Sequence, residues 1–192
     1  MKKPAQVLHK GFTLVELLVV IAIIAILAAV VVLIINPLEL TKRGRDAARL
    51  TDLANLQSAI NIAVQEATGS STQAVLCKDG SYPCTGLSNA AIGTPRVSNG
   101  AGWVKVDLSS SKSVSVPTLP ADPLNSTAYH YTYCANSDAW EINAVLESDQ
   151  QKGKMATDGG PDVADNGTDA NGRYEVGSNL ALIQPSGGSC TY

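Results

Sequence analysis

Every residue from Leu17 to Ile35 is Ala, Val, Ile or Leu, and no other feature of the chain restricts its fold as much. As a helix rising about 1.5 Å per residue, Phe12 to Ile35 would extend about 36 Å, enough to cross a hydrocarbon core of about 30 Å. A cleaved secretory signal has an apolar stretch of about 7 to 15 residues and a small-x-small cleavage site. This run is longer and ends in Asn36-Pro37-Leu38-Glu39. It therefore reads as a retained membrane span. Met1 to Gly11 carries Lys2, Lys3 and Lys10 and no acid, so the positive-inside tendency puts the N-terminus in the cytoplasm and the polar remainder outside.

That remainder is modest in size and acidic. The chain has 192 residues, which excludes a large two-domain enzyme and leaves roughly 120 residues after the helical part for one small domain. Ser70 to Tyr192 carries seven basic and twelve acidic side chains, a net of -5. Phosphate binding needs clustered Lys or Arg, so there is no nucleic-acid signature.

Glu16 lies inside the apolar stretch, and an ionised carboxylate in hydrocarbon is unfavourable by several kcal/mol unless it finds a partner. It could sit at the interface and reach the headgroups. Its setting suggests more. Lys10-Gly11-Phe12-Thr13-Leu14-Val15-Glu16-Leu17-Leu18 resembles the class III leader junction of type IV pilins and type II secretion pseudopilins. The resemblance implies cleavage between Gly11 and Phe12 by a prepilin peptidase, N-methylation of the new Phe12 amine, and Glu16 as the fifth mature residue. In a filament the Glu16 carboxylate would then pair with the Phe12 amine of a neighbouring copy, so that two unfavourable buried charges compensate each other.

Beyond the span, Asn36-Pro37 should interrupt the helix, because proline lacks a backbone donor and clashes with the preceding turn. A kink or melted turn is expected at Pro37, about one turn later than the helix-breaking proline usual in the family. Leu50, Leu53, Leu56, Ile60, Ala63, Val64 and Ala67 then follow three-and-four spacing and predict an amphipathic helix that ends near Gly69. Lys42, Arg43, Arg45, Asp46 and Arg49 form either a solvated helix face or one side of intersubunit salt bridges. After Gly69, short alternating runs predict strands over 103–108, 129–135 and 140–146, the last two joined by a turn at Asn136-Ser137-Asp138. Leu119-Pro120-Ala121-Asp122-Pro123-Leu124-Asn125 resembles the proline-containing segment before the pseudopilin sheet.

These readings give an α+β fold, a long N-terminal membrane-spanning helix whose C-terminal half packs on a small antiparallel sheet, as in the lollipop-shaped pilins. The expected organisation is a cleaved leader over 1–11, a membrane and assembly helix over 12–35, its amphipathic continuation over 36–68, and an extracytoplasmic β-rich head over 69–192.

Four cysteines outside the membrane suggest two disulfides, for which three connectivities exist. Cys77 and Cys84 bracket a turn-rich loop that could close on itself, leaving Cys134 to tether Cys190. A zinc half-site at Cys77 and Cys84 is disfavoured, since their gap exceeds two to four residues and no histidine is near. The acidic segment from Asp158 to Glu175, with Asp162, Asp165, Asp169 and Asn171, is either a solvated loop or a structural calcium site. It misses the EF-hand register, and the calcium option rests on the site that type II major pseudopilins carry in a C-terminal loop. Asn125-Ser126-Thr127 and Asn166-Gly167-Thr168 have the spacing of N-glycosylation acceptors.

No catalytic constellation is evident. His9 belongs to the leader, His130 lies on an aromatic run, and there is neither a Gly-x-Ser-x-Gly elbow nor a Walker-type phosphate loop. The expected function is that of a structural subunit, a homo-oligomer in a filament. The resemblance implies a prepilin peptidase, an inner-membrane assembly platform and its cytoplasmic ATPase as partners. Before assembly the subunit would be a single-pass membrane protein, and afterwards part of an extracytoplasmic or cell-surface filament. The alternatives are a minor pilin that binds DNA or another ligand, against which the acidic head argues, and a signal-anchored extracytoplasmic enzyme.

Overall fold

The computed structural model describes residues 11–34, 36–67, 69–78, 80–89, 93, 95–111, 113, 115–161, 172–184 and 187–191. The chain divides into two units, Met1–Leu40 and Thr41–Tyr192. The first holds helix α1, Leu14–Ile34. Its segment Leu14–Val32 has a mean hydropathy of 3.2 and is long and apolar enough to cross a membrane. A second helix, α2, runs over Pro37–Glu66. Asn36 caps it: its side-chain oxygen accepts hydrogen bonds from the backbone N–H of Leu38 at 3.2 Å and Glu39 at 3.3 Å. Pro37 is thus the first residue of α2. At that position an N–H would have no helical partner in any case, and proline's fixed φ already suits the helix.

In the second unit α2 buries Leu53, Leu56, Ala59, Ile60 and Ala63, the face that the three-and-four spacing marks out. A short helix α3 covers Thr72–Leu76, with Ser71 as its N-cap. Four strands follow, β1 over Cys84–Leu87, β2 over Thr132–Asn136, β3 over Ala139–Ala144 and β4 over Tyr174–Gly177. They form one antiparallel sheet in the order β1-β2-β3-β4. Asn136 pairs with Ala139 across a two-residue turn, in which Ser137 takes a left-handed φ of 55°. A 3-10 helix at Lys152–Ala156 lies between β3 and β4.

Strand alternation sends Tyr133, Ala135, Trp140, Ile142 and Ala144 to one face, where they share a core with Leu53, Leu56 and Ile60 of α2. The other face is covered too. Leu182, Ile183 and Cys190 pack there against Cys134, and Glu141 on β3 accepts the backbone N–H groups of Leu182 at 2.8 Å and Ile183 at 3.0 Å. The C-terminal segment is therefore clasped by a carboxylate and by the Cys134–Cys190 disulfide. The remaining pair, Cys77–Cys84, closes the loop before β1.

The run 103–108 is not a strand. Trp103, Val104, Val106 and Leu108 are all buried, which simple alternation cannot achieve, because Trp103 and Val104 would face opposite sides. The chain bends instead. Trp103 reaches the carbonyl of Pro120 through its indole N–H at 3.0 Å, and its own carbonyl passes so close to β1 that a Cβ on Gly86 would stand 2.0 Å away. The ladder at 129–135 begins only at Thr132, since Tyr129 closes a turn with Ser126. Likewise β3 stops at Ala144, short of Leu146.

Candidate functional site

The N-terminal unit presents its chemistry in six residues. Gly11 is exposed and nothing lies within 4 Å of where its Cβ would stand, so the fold itself makes no demand for glycine there. Phe12 is 84% exposed. Thr13 and Glu16 then form a capping box at the start of α1. The Glu16 Oε2 accepts the Thr13 backbone N–H and its hydroxyl, each at 2.8 Å, and the Thr13 Oγ1 accepts the Glu16 N–H at 3.3 Å. Such a reciprocal pair satisfies donors that the first helical turn leaves without partners. Among the described residues the Glu16 Oε1 accepts no hydrogen bond, and every residue from Gly11 to Val32 is exposed. The result is a carboxylate held by its own chain through one oxygen, on an apolar helix with no cover, four residues from Phe12.

In the second unit the charged cluster on α2 divides: Arg43 is exposed and Lys42 and Arg45 are half-buried, whereas Asp46 and Arg49 turn inward. Asp46 and Arg49 are fully buried. Arg49 makes a two-pronged contact to Asp122, at 2.6 and 2.9 Å, and a bond to Asp46 at 2.8 Å. Glu147 bonds Arg49 as well, and Arg45 holds it at 2.8 and 2.6 Å. The Asp46 carboxylate also accepts the backbone N–H groups of Glu147 and Ser148, while Asp122 accepts those of Leu124 and Asn125. The Arg49 guanidinium stands 5.3 Å from the centre of the Tyr129 ring. Burial opposes the charge on Arg49, but the bonds from Asp122, Glu147 and Asp46 outweigh it and raise its pKa. Burial likewise pushes the Glu147 carboxyl up, and the two arginines more than reverse that. The network ties α2 to the segments on either side of the β2–β3 hairpin, and the chain-local charge pattern gave no sign of it.

Two open clefts lie on the second unit. One of about 580 Å³ is lined by Ala63, Ala67, Ala74 and Val75 with Lys78 and Asp107. Its polar groups bind one another: the Lys78 ammonium donates to the Asn99 carbonyl and faces Asp107 at 3.4 Å, and Asp107 accepts from Ser109. His130 is buried, with its Nδ1 3.3 Å from the Ser126 carbonyl oxygen. No group of three or more His, Cys, Asp or Glu among the described residues could hold a metal ion. Asp162, Asp165, Asp169 and Asn171 lie outside the described residues.

A membrane-length helix opened by a Thr–Glu capping box, and a disulfide-bonded α+β unit, fit a membrane-anchored precursor. The comparison with protein families agrees at the junction. Residues 8–32 match the model of the prokaryotic N-terminal methylation motif. The match supports a type IV pilin-like class III leader, of the kind that a prepilin peptidase processes, over the junction and most of α1. No match was found among curated proteins or among solved structures.

Proposed function

We propose that this chain is a structural subunit of a type IV pilus-like filament or a type II secretion pseudopilus, polymerised through α1. Prepilin peptidase cuts between Gly11 and Phe12 and methylates the new amine. A side chain at Gly11 would meet nothing within 4 Å among the described residues, which supports a demand for glycine made by the peptidase. The mature subunit waits in the membrane with its head outside, and an inner-membrane platform driven by a cytoplasmic ATPase extracts it into the filament.

The observation that carries this reading is the half-used carboxylate of Glu16. In the waiting subunit Thr13 satisfies Oε2, which makes a charge in an apolar helix tolerable. Oε1 keeps its capacity for one further donor, and an ionised carboxylate can take several. The Phe12 amine of the next copy supplies that donor when helices stagger along the filament axis. The pair then lies in a dry helical core, where charges compensate only if both are present.

Replacing Glu16 by Leu tests the mechanism. Membrane insertion and cleavage are expected to survive, because the change removes the only charge between Phe12 and Ile35. Assembly is expected to fail, leaving processed monomer in the membrane and few filaments by electron microscopy, since an unpaired buried charge is unfavourable by about 3 to 5 kcal/mol per subunit. Filaments of normal number and length from Glu16→Leu would contradict the pairing.

A further inference from the structure

The turn that Asp122 organises ends in Asn125, at the start of Asn125-Ser126-Thr127. We infer that Asn125 is the acceptor of an N-linked glycan, added from a lipid-pyrophosphate-linked oligosaccharide by a membrane-bound transferase on the outer side.

Transfer to asparagine needs three things of the acceptor. The residue two positions on must carry a hydroxyl that the transferase can read, and no proline may intervene. Thr127 provides the hydroxyl, Ser126 stands between, and Ala128 follows. The amide nitrogen must also be free to leave the protein surface. The Asn125 Oδ1 is turned inward and buried, whereas its Nδ2 is not among the buried atoms and has no hydrogen-bond partner among the described residues. Finally the acceptor must stand on accessible backbone. Leu124 is 45% exposed, and Thr127 and Ala128 are exposed. They flank a turn in which the Ser126 N–H donates to the Tyr129 carbonyl at 2.8 Å and the Tyr129 N–H donates to the Ser126 Oγ at 3.2 Å.

The bland account of Asn125 is conformational, because its φ is 43° and asparagine tolerates the left-handed region better than most residues. That explains the asparagine but not the exposed threonine two residues later, nor the direction of the amide. Asp122 fixes the turn by accepting the N–H groups of Leu124 at 2.8 Å and Asn125 at 3.2 Å, and Arg49 fixes Asp122. The acceptor therefore sits on a rigid part of the head.

In the reaction, the Asn125 Nδ2 attacks the anomeric carbon of the donor. The N–C bond forms as the bond from that carbon to the pyrophosphate oxygen breaks. One amide proton passes to a base of the transferase and the lipid pyrophosphate leaves, so no oxidant or reductant is needed. The second sequon, Asn166-Gly167-Thr168, lies outside the described residues.

The inference rests on the proposed export of the head, and one preparation reads both. Full-length protein purified from the membranes of the cells that make it is digested and mapped by mass spectrometry, without reduction. The expected result is an oligosaccharide on the peptide containing Asn125, removed by an amidase that converts the asparagine to aspartate. Occupancy should fall to background in Asn125→Gln and in Thr127→Ala, and persist in Thr127→Ser. An unmodified Asn125, or a glycan only on Asn166, overturns the inference. The same map shows the cysteines. Intact Cys77–Cys84 and Cys134–Cys190 bonds beside an unmodified Asn125 confine the failure to the glycan, whereas four free thiols would extend it to the export of the head.

Discussion

Arg49 is the residue on which the head domain's interior most depends. It is fully buried, and its charge is compensated by Asp46, Asp122 and Glu147. Such a network adds little relative to an apolar core of equal shape, yet removing one member leaves the others buried without compensation. Arg49→Ala is therefore expected to lower stability by about 3 to 5 kcal/mol, read as a fall in the urea midpoint of the detergent-solubilised protein. A loss below about 1 kcal/mol would show the site to be solvated, as exposed ion pairs are. Sequence could not reveal this site, because Asp122 and Glu147 stand 73 and 98 positions from Arg49 and charge spacing on a helix speaks only of neighbours a turn away. Glu16 stands out in the sequence as a lone acid in an apolar run, but the partners its setting suggests there are headgroups or the Phe12 amine of another copy, not Thr13 three residues off.

At the scale of elements, legibility follows how local the deciding interactions are. The apolar stripe of α2 and the hairpin of β2 and β3 obey simple periods, and the structure holds both. The run 103–108 has the composition of a strand but is bent, because Trp103 must bury its ring and still hand its N–H to Pro120. β4, only Tyr174–Gly177, is too short for a periodic signal and exists because β3 offers it an edge. The clasp over the far face of the sheet depends on Glu141, which looks like a solvent-facing strand residue until the C-terminal backbone folds over it. The Cys134–Cys190 bond closes a loop with a separation of 56 residues, which the chain-entropy model values at about 4 kcal/mol. Cys134→Ser with Cys190→Ser should lower the melting temperature markedly and open the segment 182–190 to protease. Equal protease resistance in the double variant would show that Glu141 and packing suffice.

For the molecule as a whole, stability should depend on pH in two stages. Burial, with Arg173 nearby, holds the His130 pKa below its ordinary 6.5. The unfolded chain then takes up that proton first, so this contribution is complete above about pH 6.5 and is lost as pH falls toward the depressed value. Glu147, held below its ordinary 4.5 despite its burial, adds a second loss as pH falls from about 4.5 through its lowered value. Asp52 and Asp158 are shifted up by burial. They work the other way, favouring the folded state as pH falls through their raised values toward 3.8. Denaturant midpoints measured from about pH 7.5 to 3.5 should show a first decline that sets in below about pH 6.5 and is absent in His130→Gln. A wild-type profile that is flat down to pH 5 would contradict the assignment.

The central claim is that the leader junction is processed and that Phe12 becomes the first residue of an assembly helix. Mass spectrometry of the N-terminal peptide from the membrane-bound protein tests it most directly. The account predicts a chain that begins at Phe12, carries one methyl group on its amine and has lost residues 1–11. A protein that retains Met1 and its lysine-rich segment in the membrane would contradict it, whatever the head domain is found to do.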